Sequence, residues 1–291
     1  MYTVQHNNEI EFKLQESYLH ELLNLSIKAA LNAATILKKY YLDRSKLVIN
    51  KKSHNHFVTK ADFESEKTII EILKSNKKYS FGFVAEESEN CVNDIATWYI
   101  DPLDGTTNFL HGIPHYAISI ALVVRKGITI SNIVLEKDTP VIGVVYDPNR
   151  DELFTSLLGS GSYLNGTKIL CSKNNKLSDS IISTGIPSKD YINKKLRTKI
   201  SNGIARKVKS IRKMGAASLD LSWVACGRYD GYVDLDLSPW DTAAGTILIR
   251  ESNGKCEDIL QQNPWPINGW ILSGNNMIFE NLQTIIAKFI L

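Results

Sequence analysis

Cysteine is sparse in this chain. Its four residues, Cys91, Cys171, Cys226 and Cys256, are too far apart for a CxxC or zinc-ribbon spacing. A disulfide-stapled scaffold and a cysteine-based zinc site are thereby excluded. The four are expected to be small buried apolar residues in a reducing cytosol. A surplus of charge is also missing: 34 Lys and Arg stand against 31 Asp and Glu, a net +3. Such a balance gives no strong pull toward nucleic acid or a membrane surface. The N-terminus, MYTVQHNNEIEFKLQESYLHELL, has no basic stretch followed by an apolar run, so it does not read as a signal peptide. No apolar stretch approaches the ~20 residues that span a bilayer. Internal repeats and low-complexity segments are absent. The expectation is a soluble, cytoplasmic chain with neither a membrane nor a nucleic acid as partner.

What remains is ordinary globular usage, with 43% hydrophobic and 22% charged residues in 291. That length buries a full core as one large domain or two lobes. Leu19, Leu22, Leu23, Ile27, Ala30, Ala34, Leu37 and Tyr41 recur at helical spacing and predict a helix over 17–41. A second helix is expected to begin near Asp62 and run through Leu73. Strands are expected in FGFVAEE, TWYID and YAISIALVV. VIGVVYDPNRDELFTSLLG reads as two strands joined at Asp147–Arg150, and Asn165-Gly166 is a tight-turn dipeptide. From Ile181 onward strands alternate with helices: strands in IISTGI, DGYVDLDL and WILSG, and helices up to about Lys213, over 217–226, in DTAAGTILIRES and from Met277. The whole reads as a mixed α and β architecture of layered sheets and helices. Gly and Ser cluster at 157–161, which divides the chain into lobes 1–157 and 158–291, packed as one compact unit.

Oxygen ligands concentrate at Glu86-Glu87, at Asp101-Pro-Leu-Asp104-Gly-Thr-Thr-Asn108 and at Trp240-Asp241-Thr-Ala-Ala-Gly245, with Asp62 a possible fourth place. Asp101 ends an apolar strand, and Pro102, which cannot donate to a ladder, is expected to turn the chain out of the sheet. Asp104 then converges with Asp101. Gly105 lets backbone approach a ligand closely, and Thr106-Thr107-Asn108 is helix-start chemistry that presents free N–H groups to an anion. Carboxylates beside an anion site look contradictory: a carboxylate and a phosphate charge ~4 Å apart repel by roughly 4 kcal/mol at an effective dielectric of 20. A divalent cation between them removes the contradiction. All-oxygen ligands select a hard ion, magnesium being the usual one, and the lack of His or Cys in these motifs argues against zinc. Taken singly, each acid reads equally well as a helix cap, a turn residue or a solvated strand end; the joint string points to a site. Nothing resembles an activated nucleophile, so a water is expected to attack.

Other signals are weaker. His111 and His115 have an i, i+4 spacing, but Gly112 and Pro114 break the helix that a metal pair needs. His54 and His56 flank Asn55 in a polar stretch. Lys52 is either a phosphate or metal-water contact or a solvated loop lysine. The segment 189–213 is rich in Lys and Arg with Asp190 its one acid. It reads as a solvated helix face, the alternative being an anion- or RNA-binding surface, for which Tyr191 alone offers no stacking platform.

DPLDGTTNFLHGIPHYAISIAL, preceded by AEES and followed by SPWDTAAG, closely resembles the inositol monophosphatase family. FVTKAD, GVVYDPNRDELFTSLLGSGSYLNG and RKMGAASLDLSWVACGRYDGY extend the resemblance from about Leu19 to about Gly274. It implies a layered αβαβα sandwich of the inositol monophosphatase and fructose-1,6-bisphosphatase kind. It further implies a homodimer and Mg2+-dependent hydrolysis of inositol-1-phosphate, a small phosphorylated polyol. Position by position, it places the metal ligands at Glu86, Asp101, the Leu103 carbonyl, Asp104 and Asp241. Thr106 falls on the hydroxyl that orients the attacking water, Asp62 on the acid paired with it, and Gly105 and Thr106 on the phosphate-binding N–H groups. The alcohol side falls near Gly215, Ala216, Ala217 and Asp234. Here the chain departs from the family, which commonly has Glu at Asp234 and a small residue at Asp236. Ser252-Asn253 also replaces the usual Ala-Gly. A fructose-1,6-bisphosphatase, a 3′,5′-bisphosphate nucleotidase and a histidinol-phosphate phosphatase share the scaffold. A regulatory, partner-binding protein that uses the basic 189–213 segment is the alternative of a different class.

Overall fold

The computed structural model describes residues 12–43, 49–53, 56–185 and 191–290. After the short strand β1 (Lys13–Leu14), helix α1 (Glu16–Leu42) buries Tyr18, Leu19, Leu22, Ala30, Ala34 and Leu37 on one face, the recurrence of an amphipathic helix. The hairpin of β2 (Ile49–Ser53) and β3 (His56–Thr59) leads into α2 (Lys60–Lys74). Thr59 and Asp62 form a capping box, so the helix starts ahead of Asp62, where its first N–H groups find partners.

Next come β4 (Gly82–Ala85), β5 (Ala96–Asp104), the short helix α3 (Thr106–His111), β6 (Ala117–Val124), β7 (Thr129–Ile130), β8 (Ile133–Val134), β9 (Thr139–Asp147), β10 (Glu152–Leu157), β11 (Gly161–Leu164) and β12 (Thr167–Ile169). Seven of these strands form one sheet in the order β12-β11-β10-β9-β6-β5-β4, while β1, β7 and β8 form a small separate sheet. In the large sheet β4 and β5 run parallel and the other neighbours antiparallel. The rest of the chain holds β13 (Ile181–Thr184), α4 (Tyr191–Ala205), β14 (Ser210–Arg212), α5 (Ala217–Ala225), β15 (Gly231–Asp234), α6 (Pro239–Arg250), β16 (Gly254–Asp258), β17 (Ile271–Asn275) and α7 (Asn276–Ile290). The second sheet has the order β14-β13-β15-β17-β16. The chain passes from the first sheet to the second between Ile169 and Ile181, beyond the Gly and Ser cluster at 157–161.

Successive strand residues point to opposite faces, and that alternation builds the layers. Trp98, Ile100, Ile118, Ile120 and Leu122 pack with α1 and α2. Tyr99, Ala121, Val123 and Val145 face the other way, onto Leu221 and Val224 of α5 and Ala244 and Leu248 of α6, with Tyr232, Cys256 and Ile271 of the second sheet beyond. The outer face of that sheet packs Ile182 and Leu272 against Ile200 and Ile204 of α4 and Ile278, Leu282 and Ile286 of α7. The result is a five-layer αβαβα sandwich. Because both faces of the first sheet are covered, β5 and β6 are buried along their whole length.

Three local expectations need correcting. Pro102 does not leave the sheet: β5 continues to Asp104, with a register break between the pairs Asp101–Ser119 and Asp104–Ala117. Pro102 and Leu103 face Ile118 alone, which makes a bulge, where a residue without an N–H is tolerated. Helix α4 ends at Ala205, and Ser210–Arg212 forms an edge strand in place of further helix. Cys171 and Cys256 are buried and Cys226 half-buried, but Cys91 is exposed, because it bridges to Phe83 on the outer edge strand β4. Among the described residues no helix is long and apolar enough to cross a membrane.

His111 is exposed and His115 buried, so the two do not converge on a metal. His115 stacks edge-on against Trp223, with ring centroids 5.5 Å apart, and neither of its ring nitrogens has a hydrogen-bond partner among the described residues. Burial, aided by the Arg150 charge, pushes its pKa down to about 4. The folded state therefore holds a neutral ring that the unfolded chain protonates more readily. Stability from this group is present above about 6.5 and is lost as pH falls toward 4, by up to about 1.4 kcal/mol per pH unit. Urea unfolding at pH 7, 5.5 and 4.5 is expected to show this limb in the wild type and a flatter one in His115→Phe. Equal slopes would remove His115 from the acid response.

Candidate active site

The bulge in β5 brings the acids together. Ala85 of β4 stands opposite Ile100 of β5, so the next residues along the parallel pair, Glu86 and Asp101, lie side by side. The Leu103 N–H donates to Asp101 Oδ1 at 2.9 Å. Helix α2 holds the same turn from behind, Ser65 Oγ donating to the Pro102 carbonyl at 2.9 Å. Asp104 reaches across to the start of α5, where it accepts from Ala217 N at 3.2 Å, Ser218 N at 2.7 Å and Ser218 Oγ at 2.5 Å. Asp241 lies in the first turn of α6 and accepts from Ser238 N at 2.7 Å. Three of the four acids thus come from the β4–β5 end of the first sheet and the fourth from the start of α6, and backbone N–H groups at the starts of α5 and α6 hold negative charge.

They line one cleft of about 310 Å3, together with Leu103, Gly105, Thr106, Gly215, Ala216, Ala217 and Asp234. Gly105 has φ +89°, and a Cβ there would come within 3.0 Å of the His115 carbonyl, so the turn into α3 requires glycine. Asn108 of α3 donates to the carbonyls of His115 and Met214, each at 2.8 Å, and so ties the Gly215 wall to the Asp104 wall. The Thr106 hydroxyl donates to the Leu103 carbonyl at 3.0 Å.

Asp62 is not among the cleft-lining residues. It is buried, and its Oδ2 accepts from Thr59 N at 2.9 Å and Thr59 Oγ1 at 2.5 Å. The resemblance paired it with Thr106; here its partner is Thr59, and its Oδ1 has no partner among the described residues. Burial raises its pKa to about 6 against the effect of the Thr59 bonds. Lys52 falls on β2, and its side chain, like His54, lies outside the described residues. The cleft also takes in Asp220, Tyr232, Asp236 and Ser238. Sequence reasoning passed over Asp220, although a carboxylate in the first turn of an otherwise apolar helix (Leu219, Leu221, Val224) was a visible signal.

The electrostatics follow from crowding. Asp101 is only 2% exposed. Burial drives its pKa well above the carboxylate range, and the charges of Glu86, Asp104 and Asp241 add to the rise. Burial, then Asp104, takes Asp241 up to about 7. Burial also raises Asp104, opposed by its Ser218 and Ala217 bonds. Among the described residues no three His, Cys, Asp or Glu side chains are gathered into a ready metal site. Even so, the donor set that faces the cleft is all oxygen and rich in negative charge, which fits a hard divalent cation and not zinc or copper.

A layered α/β fold with an acid-lined cleft at the ends of its strands is that of a phosphatase, and the comparisons with known proteins agree. The profile of the inositol monophosphatase family matches residues 18–289. The inositol-1-monophosphatase of Rhizobium meliloti (strain 1021) is 36% identical over 271 residues, covering 92% of this chain and 96% of that protein. Nus factor SuhB of Escherichia coli (strain K12) is 37% identical over 272 residues, 90% of this chain and 94% of that one. The crystal structure of extragenic suppressor protein SuhB from Bartonella henselae superposes with a TM-score of 0.83 at 34% identity, covering 93% of this chain and 100% of the other. The chain belongs to the inositol monophosphatase family.

Crowded acids that serve a site oppose folding when nothing neutralises them. Their raised pKa values mean that the stability they contribute is present at low pH and lost as pH rises through about 7. With a chelator present, the midpoint of thermal unfolding should fall between pH 5 and pH 8. Asp101→Asn should recover about 2–4 °C at pH 8, the effect of roughly 1 kcal/mol, while phosphatase turnover is lost. A wild-type rate in that variant would remove Asp101 from the reaction.

Proposed function

We propose that this chain hydrolyses inositol-1-phosphate to inositol and phosphate, with Mg2+ as its cofactor and a water as the attacking group. The observation that carries the reading is the convergence of Glu86, Asp101, Asp104 and Asp241 on one cleft. These four side chains and the Leu103 carbonyl would hold the metal. When bound, the ion supplies neutralisation of the phosphate charge and a lower pKa for water. The chain's own groups do the rest. Thr106 Oγ1, fixed on the Leu103 carbonyl, orients the water. Asp62, buried and with Oδ1 unpartnered among the described residues, is the proton-holding group of this reading. The N–H groups of Gly105 and Thr106 meet the phosphate oxygens, with Lys52 a further contact on that side. The Gly215–Ala217 wall and Asp234 flank the alcohol. The absence of a nucleophile motif fits direct attack without a covalent intermediate. As in the family, the working form is a homodimer.

A second reading has its own support. Several relatives carry the name Nus factor SuhB, and Lys195, Lys199, Arg206, Lys207, Lys209, Arg212 and Lys213 of the basic segment are exposed. A partner-binding role there is compatible with an active cleft. Titration of a labelled RNA at rising salt tests it: the affinity should fall steeply with salt if the basic face binds, and no binding at low salt removes RNA as the partner.

The enzymatic reading is tested by phosphate release with and without Mg2+ from inositol-1-phosphate, fructose-1,6-bisphosphate, adenosine-3′,5′-bisphosphate and histidinol phosphate. Mg2+-dependent turnover with inositol-1-phosphate preferred is the expected result. A preference for another of these esters would move the substrate, and no turnover on any would remove the hydrolytic reading.

A further inference from the structure

Two acids face the alcohol side of the cleft, and their hydrogen bonding differs. Asp234 is fully engaged. Its Oδ1 accepts from Leu235 N at 2.8 Å and Arg197 Nη1 at 3.3 Å, and its Oδ2 from the Tyr232 hydroxyl at 2.9 Å. The Gly185 N–H adds a backbone bond. A Cβ on Gly185 would lie 2.0 Å from Asp234 Oδ2, so this close approach is available only to glycine. Arg197 of α4, half-buried, also pairs with Asp236 at 2.9 Å. Asp236 in turn accepts from Trp270 Nε1 at 2.8 Å. A carboxylate offers about four acceptor sites, and Asp234 has spent them on the protein.

Asp220 is the opposite case. It is 2% exposed, it lines the cleft, and its Oδ1 has no hydrogen-bond partner among the described residues. Ser183 is its hydrogen-bonding neighbour, and Asp104 and Asp234 lie close enough for their charges to act on it. It therefore stands between the acids of the metal side and those of the alcohol side. A buried oxygen left unpaired is destabilising, and such exceptions call for an explanation. A shortened acid at Asp234 that is bonded inward, and a free oxygen one wall away, give it.

We propose that Asp220 is the specificity-determining residue on the alcohol side, its Oδ1 accepting a hydrogen bond from a free hydroxyl of the phosphorylated polyol. This rests on the reading of the cleft as a polyol-phosphate site and deepens it. A carboxyl oxygen accepts such a bond whether or not the group is protonated. Asp234, Arg197 and Asp236 then form a fixed wall in which one arginine ties two carboxylates.

The test compares inositol-1-phosphate with phenyl phosphate, which has no free hydroxyl on its alcohol portion. The kcat/KM ratio of the two esters is measured in the wild type, Asp220→Ala and Asp220→Asn, each checked for a native circular dichroism spectrum. Removing one hydrogen bond predicts that the ratio falls about tenfold in Asp220→Ala, most of it as a rise in KM for inositol-1-phosphate. Asp220→Asn, which keeps one oxygen, should fall in between and keeps the test open if the alanine chain does not fold. An unchanged ratio in a folded, active variant overturns the assignment of Asp220 alone. A wild type that releases phosphate from neither ester overturns the reading of the cleft, and this proposal with it.

Discussion

The site depends on one irregularity, the extra residue that β5 carries between Asp101 and Asp104. Regular pairing with β6 would send the two carboxylates to different places along the sheet. The bulge at Pro102 puts both at the mouth of the cleft, and the Ser65 bond to the Pro102 carbonyl holds it there. The other acids are then set by simpler means: Glu86 by the parallel register of β4 with β5, Asp241 by a capping box, and Asp104 by the N–H groups of α5. Each is tied by one backbone contact or more, so the crowding is imposed by the fold.

That crowding is tolerable because the surrounding core is large and apolar. Three contiguous clusters on either side of two sheets supply the stabilisation against which raised carboxyl pKa values are a modest debit. On the alcohol side the same difficulty is met differently. Arg197 enters from α4, and Asp234 and Asp236 surround it. The one arginine of a helix that exposes Lys195 and Lys199 thus serves the cleft wall.

Much of this was legible beforehand, and for identifiable reasons. The apolar spacing of 17–41 is long and strongly periodic, so α1 followed from it. Continuous apolar runs bounded by turn residues marked β6 and β9. The string from Asp101 to Asn108 and the one from Trp240 to Gly245 combined acids, glycine and helix-start residues so densely that they announced a cleft. What escaped was set by tertiary context. Proline looked like an exit from the sheet because bulges leave no trace in hydropathy. Cys91 looked buried because cysteines usually are, and only the edge position of β4 exposes it. The basic run to Lys213 looked helical throughout, yet pairing with β13 makes an edge strand of Ser210–Arg212. Asp220 was hidden among the apolar residues of α5, and the bond partners of Asp62 and Asp234 were beyond the reach of spacing alone.

The order in which the cleft-lining acids occur along the chain has a consequence for biosynthesis. Glu86, Asp101 and Asp104 belong to strands that pair early in the chain, but Asp241 lies on α6, which is sandwiched between the two sheets. A nascent chain that has completed its first sheet still lacks one wall of the cleft, and the apolar face awaiting α6 is uncovered. Docking that helix is a long-range event, slow relative to the local hairpins that precede it. Competence at the cleft therefore reports that α6 has docked between the sheets, and a chain truncated before Pro239 would keep Glu86, Asp101 and Asp104 without Asp241 and the wall it stands on.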